Sequence, residues 1–403
     1  MIRAAQLNLI LLAAISGIAR FAEAEAVAPD ATAAQNLSQP QTISVPLEYR
    51  EVEFSMGNVA VSLDGPKGDR SGLIEKAPET KGAKPVYGAL QLGKERMELA
   101  WDKAQRKLYL DLNRNQDLTD DPGGVFSASA KGSYQTFRNI HLSATDEGGE
   151  WRFLVDLNLH EFGRSRLNGY ASLRSFYAGK VELAGRSWQV GLVKRSVDRV
   201  GADESVTLLF RPWEDCTQSF SLYDRSADTF ALRKKLFLQN QAYSTRTSFE
   251  GEGESSKPRL ELVPQQTPLG ELRVSGEGVH RLVLESRGDY TAIFDAPSGV
   301  LRVPLGTYNR TQVRLQKGDN EAFGDFDAAV TVSDKTVATL PVGGPLTNSV
   351  TVSRAGRWLQ LSYKLIGISG RPYELVDRGE RKAPEFAIYK GDRRLATGKF
   401  QFG

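Results

Sequence analysis

The chain has 403 residues, 52 Lys and Arg against 49 Asp and Glu, a formal net charge of +3 and 40% hydrophobic residues. That balance excludes a long-range field able to gather nucleic acid or an anionic membrane, and the single cysteine, Cys216, excludes an internal disulfide. The length exceeds one ordinary core, so two or more domains are expected, held by buried apolar surface rather than by cross-links.

Residues 1–26 read as a secretory signal. Arg3 supplies the positive start, and Leu7 to Ile18 an apolar stretch broken only by Asn8, Ser16 and Gly17. Ala22-Glu23-Ala24 and Ala24-Glu25-Ala26 both fit a small-x-small cleavage site. The stretch is shorter than the roughly 20 residues that cross a bilayer, and no other segment is long enough. The expectation is an exported chain, periplasmic or extracellular, with no transmembrane segment in its mature form; an uncleaved N-terminal anchor is the alternative. Cys216 is then expected as a buried free thiol. Residues 27–42, rich in Ala, Gln, Ser and Pro, read as a flexible leader.

From Pro46 onward the apolar pattern has period two. Val59, Val61 and Leu63 alternate with Ala60 and Ser62; Met97, Leu99 and Trp101 share a face; Leu108 and Leu110 follow; Phe153, Val155, Leu157 and Leu159 alternate with Asp156 and Asn158. Such alternation predicts antiparallel strands with one face in a core and one in water. KVELAGRSWQV (180–190) and KLFLQNQAYST (235–245) each read as a hairpin, turning at Ala184-Gly185 and Gln239-Asn240, with Trp188 and Tyr243 at the same offset. Residues 250–268 are polar and contain Pro, which suggests a boundary between an N-terminal β region, 43–262, and a C-terminal one, 266–403. In the latter Leu301, Val303 and Leu305 alternate, as do Leu359, Leu361, Tyr363 and Leu365, and Phe386, Ile388, Leu395, Phe400 and Phe402 close the chain. No run of helical spacing is found. The predicted fold is all-β, with two or more antiparallel sandwich or barrel-like domains joined by short linkers.

The stretch of most chemical interest is DLNRNQDLTDD, Asp111 to Asp121, directly after the strand-like KLYL. A hard divalent cation takes oxygen ligands, and a short loop delivers them when alternate side chains point inward. Asp111, Asn113 and Asn115 stand at loop positions 1, 3 and 5. Asp117 at position 7 offers its backbone carbonyl, with its carboxylate as a second donor, Leu118 is an apolar anchor, and Asp120 and Asp121 stand where a closing carboxylate is needed. The stretch resembles an EF-hand-type or dockerin-type calcium loop in a non-EF setting. It is also similar to D-L-N-x-D-G-D-L-T-D-D loops of secreted bacterial β-proteins with no activity to carry over, and that likeness extends to the final GKFQFG. Two departures weaken the match. Gln116 replaces the position-6 Gly of a left-handed turn, and Pro122 replaces the position-12 carboxylate. Both predict weak calcium binding, on the order of 10⁻⁴–10⁻³ M, and no sensor function. The competing expectation is a plain acidic turn, since Asp and Asn favour turns on their own account. Separately, PLGTY (304–308) is similar to a turn and strand of transthyretin-like and collagen-binding B-type sandwiches, which implies a sandwich and no activity.

A search for catalytic chemistry is less productive. His141, His160 and His280 are too scattered to suggest zinc, and His160-Glu161 fall on opposite faces of a strand. Asp156 and Asn158 echo the loop motif but should project from the solvent face. Trp213-Glu214-Asp215-Cys216 reads as a polar loop, and Ser196 to Glu204 as a second ion loop that has lost its ligands. No nucleophile elbow, P-loop or dinucleotide fingerprint occurs. The functional expectation is a non-catalytic envelope or extracellular binding or scaffold protein with a structural calcium ion, its partner a carbohydrate or a protein and not nucleic acid. The alternative is a secreted carbohydrate-active or other hydrolase working through paired carboxylates.

Overall fold

The computed structural model describes residues 41–63, 74–80, 84–92, 95–128, 132–146, 149–162, 166–194, 206–213, 226–251, 257–287, 289–377 and 380–401. Residues 1–40, with the expected signal at 1–26, Ser196 to Glu204 and Glu214 to Cys216 lie outside them. The fold is all-β, and no α-helix occurs among the described residues. Thr42–Lys382 forms one compact unit. The hairpin Glu385–Lys390 and Arg393–Lys399, within a second unit, closes on itself with Phe386 against Phe400 at 5.0 Å.

Within Thr42–Lys382 an eight-stranded sheet runs Val125–Ser127, Lys107–Leu110, Glu95–Asp102, Val86–Leu92, Gly57–Leu63, Arg166–Leu173, Gly149–Phe162, Tyr134–Asp146, every neighbour antiparallel. Its curl brings the two ends together, and Trp101 Nε1 donates to Gln135 Oε1 across the gap at 2.9 Å. The inward face is the alternating set read from the sequence: Val59, Val61, Leu99, Trp101, Val155, Leu157 and Leu159 are all buried. A five-stranded sheet, including Ser175–Leu183, Arg186–Lys194 and Val206–Pro212, shares this core through Trp188, Val190 and Phe210.

The third large sheet begins at Ile43–Pro46 and passes through Lys257–Gln265, Gln241–Glu250 and Lys235–Leu238 before crossing to Tyr290–Asp295, Val279–Ser286 and Gly306–Lys317. The crossing pair, Lys235–Leu238 beside Tyr290–Asp295, is parallel. The polar stretch suggested as a boundary therefore contains a nine-residue strand, because Leu260 and Leu262 alternate into the core beneath its polar residues. Strands on both sides of that stretch belong to one sheet.

Both hairpin turns stand where the sequence put them. Ala184 and Gly185 have φ of 51° and 75°, and Gln239 and Asn240 have φ of 52° and 61°. Leu183 pairs with Arg186 and Leu238 with Gln241, so each is a two-residue loop whose left-handed backbone matches strand twist. Trp188 and Tyr243 are buried at equivalent places. In PLGTY, Tyr308 is fully buried and its hydroxyl donates to the Pro304 carbonyl four residues upstream at 3.0 Å, the tyrosine-corner arrangement of sandwich domains. Burial pushes that phenol well above its usual range.

Candidate functional site

The Asp111–Asp121 loop leaves the strand Lys107–Leu110 and lies against the outer face of the eight-stranded sheet. Two things hold it there. Leu118, 2% exposed, packs into a small separate core with Ile74, Ala100 and Tyr109. The backbone is also stitched down: Asp111 N–H donates to the Glu98 carbonyl at 3.0 Å, Leu118 N–H to Lys76 at 3.0 Å, and Glu75 N–H to Gln116 at 2.9 Å. Burying both faces of Glu95–Asp102 follows from this cover.

Inside the loop the side-chain oxygens turn back on the backbone. Asp111, 1% exposed, accepts from Asn115 N–H at 3.1 Å through one oxygen and from Gln116 N–H at 3.0 Å through the other. Asn113 Oδ1 accepts from Asn115 N–H, and Asn115 Oδ1 from Asp117 N–H. This winding requires left-handed backbone at alternate positions, and Arg114 and Gln116 have φ of 62° and 67°. Gln116 thus adopts the conformation for which calcium loops use Gly, at a cost of about 1 kcal/mol. The carboxamides of Asn113 and Asn115 donate to the two oxygens of Asp120 at 3.1 and 2.6 Å. Asp121 folds back to accept Leu112 N–H at 3.0 Å, after which Pro122–Gly124 makes a single 3-10 turn.

Five of the six anticipated residues, Asp111, Asn113, Asn115, Asp120 and Asp121, therefore meet in one network. Asp117 departs. Its carboxylate faces Lys76 Nζ at 2.7 Å and also receives Thr119 N–H at 2.9 Å. These bonds, Lys76 first and Thr119 second, hold Asp117 down at about 2, and Lys76 is raised in return. At the other end, burial and then the neighbouring Asp111 and Asp120 charges push Asp121 up, against the Leu112 N–H. One end of the loop carries its own counter-charge, and at the other Asp121 feels the charges of Asp111 and Asp120.

Among the described residues no cluster of three or more His, Cys, Asp and Glu side chains has a metal-holding arrangement. The fit to calcium rests on donor chemistry: hard oxygens only, with backbone already wound to direct alternate side chains inward. Lys76, 41 residues from Asp117, has no signal in the local sequence. Nor does Arg114, which leaves the loop to pair with Glu95 at 2.6 Å and to bond the Ser143 carbonyl.

The remaining sequence candidates are dispersed. His141 and His160 stand on adjoining strands, His280 on Val279–Ser286 of a different sheet. Glu161 turns to Lys103 at 3.1 Å while His160 takes the opposite face, as alternation requires. Asp156 and Asn158 do lie on the outer face, but not in open water. Asp156 pairs with Arg174 at 3.1 Å, and Asn158 is 5% exposed beneath Tyr134, whose hydroxyl it accepts at 2.9 Å. Period two assigns a face; it does not say what covers that face. Trp213 is 44% exposed with Lys180 Nζ 5.0 Å above its ring. An open cleft of about 400 Å³ is lined by Glu51, Glu53, His141 and Arg174, the last already engaged by Asp156 and Asn139.

Compared with known proteins, the chain matches no family model, no curated protein and no solved structure.

Proposed function

We propose that the chain is an exported, non-catalytic binding or scaffold protein of the cell envelope or extracellular space, with calcium as a structural ion of the Asp111–Asp121 loop. The observation that supports the calcium reading is the coiled loop itself, in which Asp111 accepts the N–H groups of Asn115 and Gln116 and the Asn113 and Asn115 carboxamides turn to Asp120. Asp111, Asn113, Asn115, Asp120 and Asp121 would hold the ion by side chain, and Asp117, its carboxylate committed to Lys76, by its backbone carbonyl. Bound calcium supplies the missing counter-charge. The loop's own groups do the rest: Leu118 anchors it, and Asp111 orients the backbone of Asn115 and Gln116. The loop is pinned to a sheet, with no flanking helix pair among the described residues, which favours a fixed cross-link over a switch. Export rests on the pattern of residues 1–26.

The test is a thermal melt of the purified chain in EDTA and in 10 mM calcium, beside Asp111→Ala. Calcium bound only by the folded state at about 100 times its Kd adds about 2.7 kcal/mol, and at about ten times its Kd about half that. A calcium-dependent rise in Tm, absent from Asp111→Ala, is expected. An unchanged Tm would reduce the loop to an acidic turn. Mass measurement of protein recovered from the periplasm or medium, expected to begin after Ala24 or Ala26, checks the export reading.

A further inference from the structure

The outer face of an antiparallel sheet that covers a core is normally polar and wet. One part of the eight-stranded sheet breaks that rule. Cross-strand register sets Tyr134 opposite His160, and Tyr170 opposite Asn158. Four rings gather as a result. Tyr134 stacks on His160 with centroids 5.5 Å apart and planes at 18°; Phe162 meets the imidazole edge-on at 4.5 Å, and Tyr170 at 6.3 Å. Tyr134 and Phe162 are 47% and 58% exposed, so large apolar rings stand in water above a sheet that already has its core on the other side.

His160 is the anomaly beneath them. It is 8% exposed, and neither ring nitrogen has a hydrogen-bond partner among the described residues. An imidazole always has at least one N–H to place, and leaving a buried donor or acceptor unpaired is unfavourable. Phe162, the more exposed of the rings, is the one that covers its edge. Beside the rings runs an ordered hydroxyl and carboxamide ladder. Tyr134 Oη is 3.0 Å from Tyr170 Oη, and Asn158 Oδ1 accepts from Tyr134 and from Thr136 at 2.8 Å. The tyrosine hydroxyls are thereby aimed rather than free.

The chemistry of this patch selects its ligand. The phenyl, phenol, hydroxyl and carboxamide groups carry no formal charge. Among the described residues Arg174 at the margin is paired with Asp156, and Arg166 stands opposite Phe162; a polyanion needs several free cations. Neighbouring strands lie about 4.8 Å apart, so rings on three strands span about 10 Å. An exposed aromatic surface with fixed hydroxyl and amide groups suits a molecule with an apolar ring face and a hydroxyl rim. We propose that this platform binds the neutral sugar rings of a polysaccharide. Tyr134 and Phe162 stack on the sugar, and Tyr170 and the imidazole uncovered by Phe162 hydrogen-bond its hydroxyls. The inference rests on the reading of the chain as an extracellular binding protein and supplies its ligand class.

Affinity electrophoresis of the full chain tests this, in gels containing xyloglucan, mixed-linkage β-glucan, galactomannan or dextran, with alginate as an anionic control. Retardation by at least one neutral polymer is expected, weakened at least tenfold in Tyr134→Ala and in Phe162→Ala, while Tm stays close to that of the parent chain. Tyr134→Phe, which keeps the ring and removes the hydroxyl, should retain part of the binding. No retardation by any neutral polymer, retardation unaffected by both alanine variants, or retardation by alginate alone would overturn the proposal. Failure here with the calcium-dependent Tm intact removes only the sugar platform. Release of reducing ends from a retarding polymer would instead overturn the non-catalytic reading and leave the platform standing.

Discussion

Arg281 offers the sharpest test of what holds Thr42–Lys382 together. Its side chain is fully buried between sheets. Nε lies 3.2 Å from Asp228 and 3.1 Å from the Ala227 carbonyl, Nη1 lies 2.8 Å from Asp295, and Nη2 bonds the Phe210 carbonyl. Asp295 also faces Arg186 at 3.1 Å and keeps a cation if Arg281 is lost. Asp228, with its side chain 6% exposed, keeps none among the described residues. Arg281→Met replaces the stem with apolar volume but strands the Asp228 charge and two carbonyls. Breaking a buried pair from one side costs about 3–5 kcal/mol. Two lost carbonyl bonds fall within that figure, because the carbonyls need not remain dry once the guanidinium is gone. We expect about 4 kcal/mol, a large part of the roughly 5–15 kcal/mol typical of a folded unit. Urea unfolding followed by tryptophan fluorescence measures it as a fall in the midpoint at constant m. The companion Asp228→Asn/Arg281→Met should be at least about 1 kcal/mol more stable than Arg281→Met alone, since the two groups are directly coupled. A loss below about 1 kcal/mol in Arg281→Met, or no recovery in the double variant, would refute the claim that charge compensation, rather than packing, is what Arg281 provides.

Two further outcomes are expected. Tyr308→Phe keeps the buried ring and removes its bond to Pro304, leaving a buried carbonyl unpaired; urea midpoints should report a loss of about 1–2 kcal/mol, and no loss would make the corner mere packing. Lys76 holds Asp117 at about 2, below its ordinary 3.8. A depressed carboxylate contributes stability that is complete above its unfolded value and disappears as pH falls through the folded one. Lys76→Ala should therefore lower Tm at pH 6 and converge with the parent chain toward pH 2, whereas a constant gap across that window would count against the ion pair.

Much of the local structure was legible in the sequence. Alternation at Val59–Leu63 and Phe153–Leu159 named the strands and their buried faces, because side chains on a strand repeat every two residues. Ala184-Gly185 and Gln239-Asn240 marked their hairpins, because few residues accept left-handed backbone. The oxygen spacing of DLNRNQDLTDD marked a candidate calcium loop or an acidic turn; in the fold its side chains bond the backbone of Asn115, Gln116 and Asp117. Each of these readings depends on neighbours within about ten residues.

What the sequence could not show is which distant segments meet. Lys76 reaches Asp117, Arg281 joins strands around Phe210 and Asp295, and Lys235–Leu238 lies beside Tyr290–Asp295. Asn158 was readable as outward-facing, but only the register of three strands puts Tyr134 and Tyr170 over it and leaves His160 without a hydrogen-bond partner among the described residues. The reason is physical. A period-two pattern specifies a face and is satisfied by many partners, whereas strand order is settled by burial summed over the whole assembly. By itself the sequence determined an all-β chain with one oxygen-rich loop; the tertiary structure decided which carboxylate there gained a lysine and where aromatic rings were left facing water.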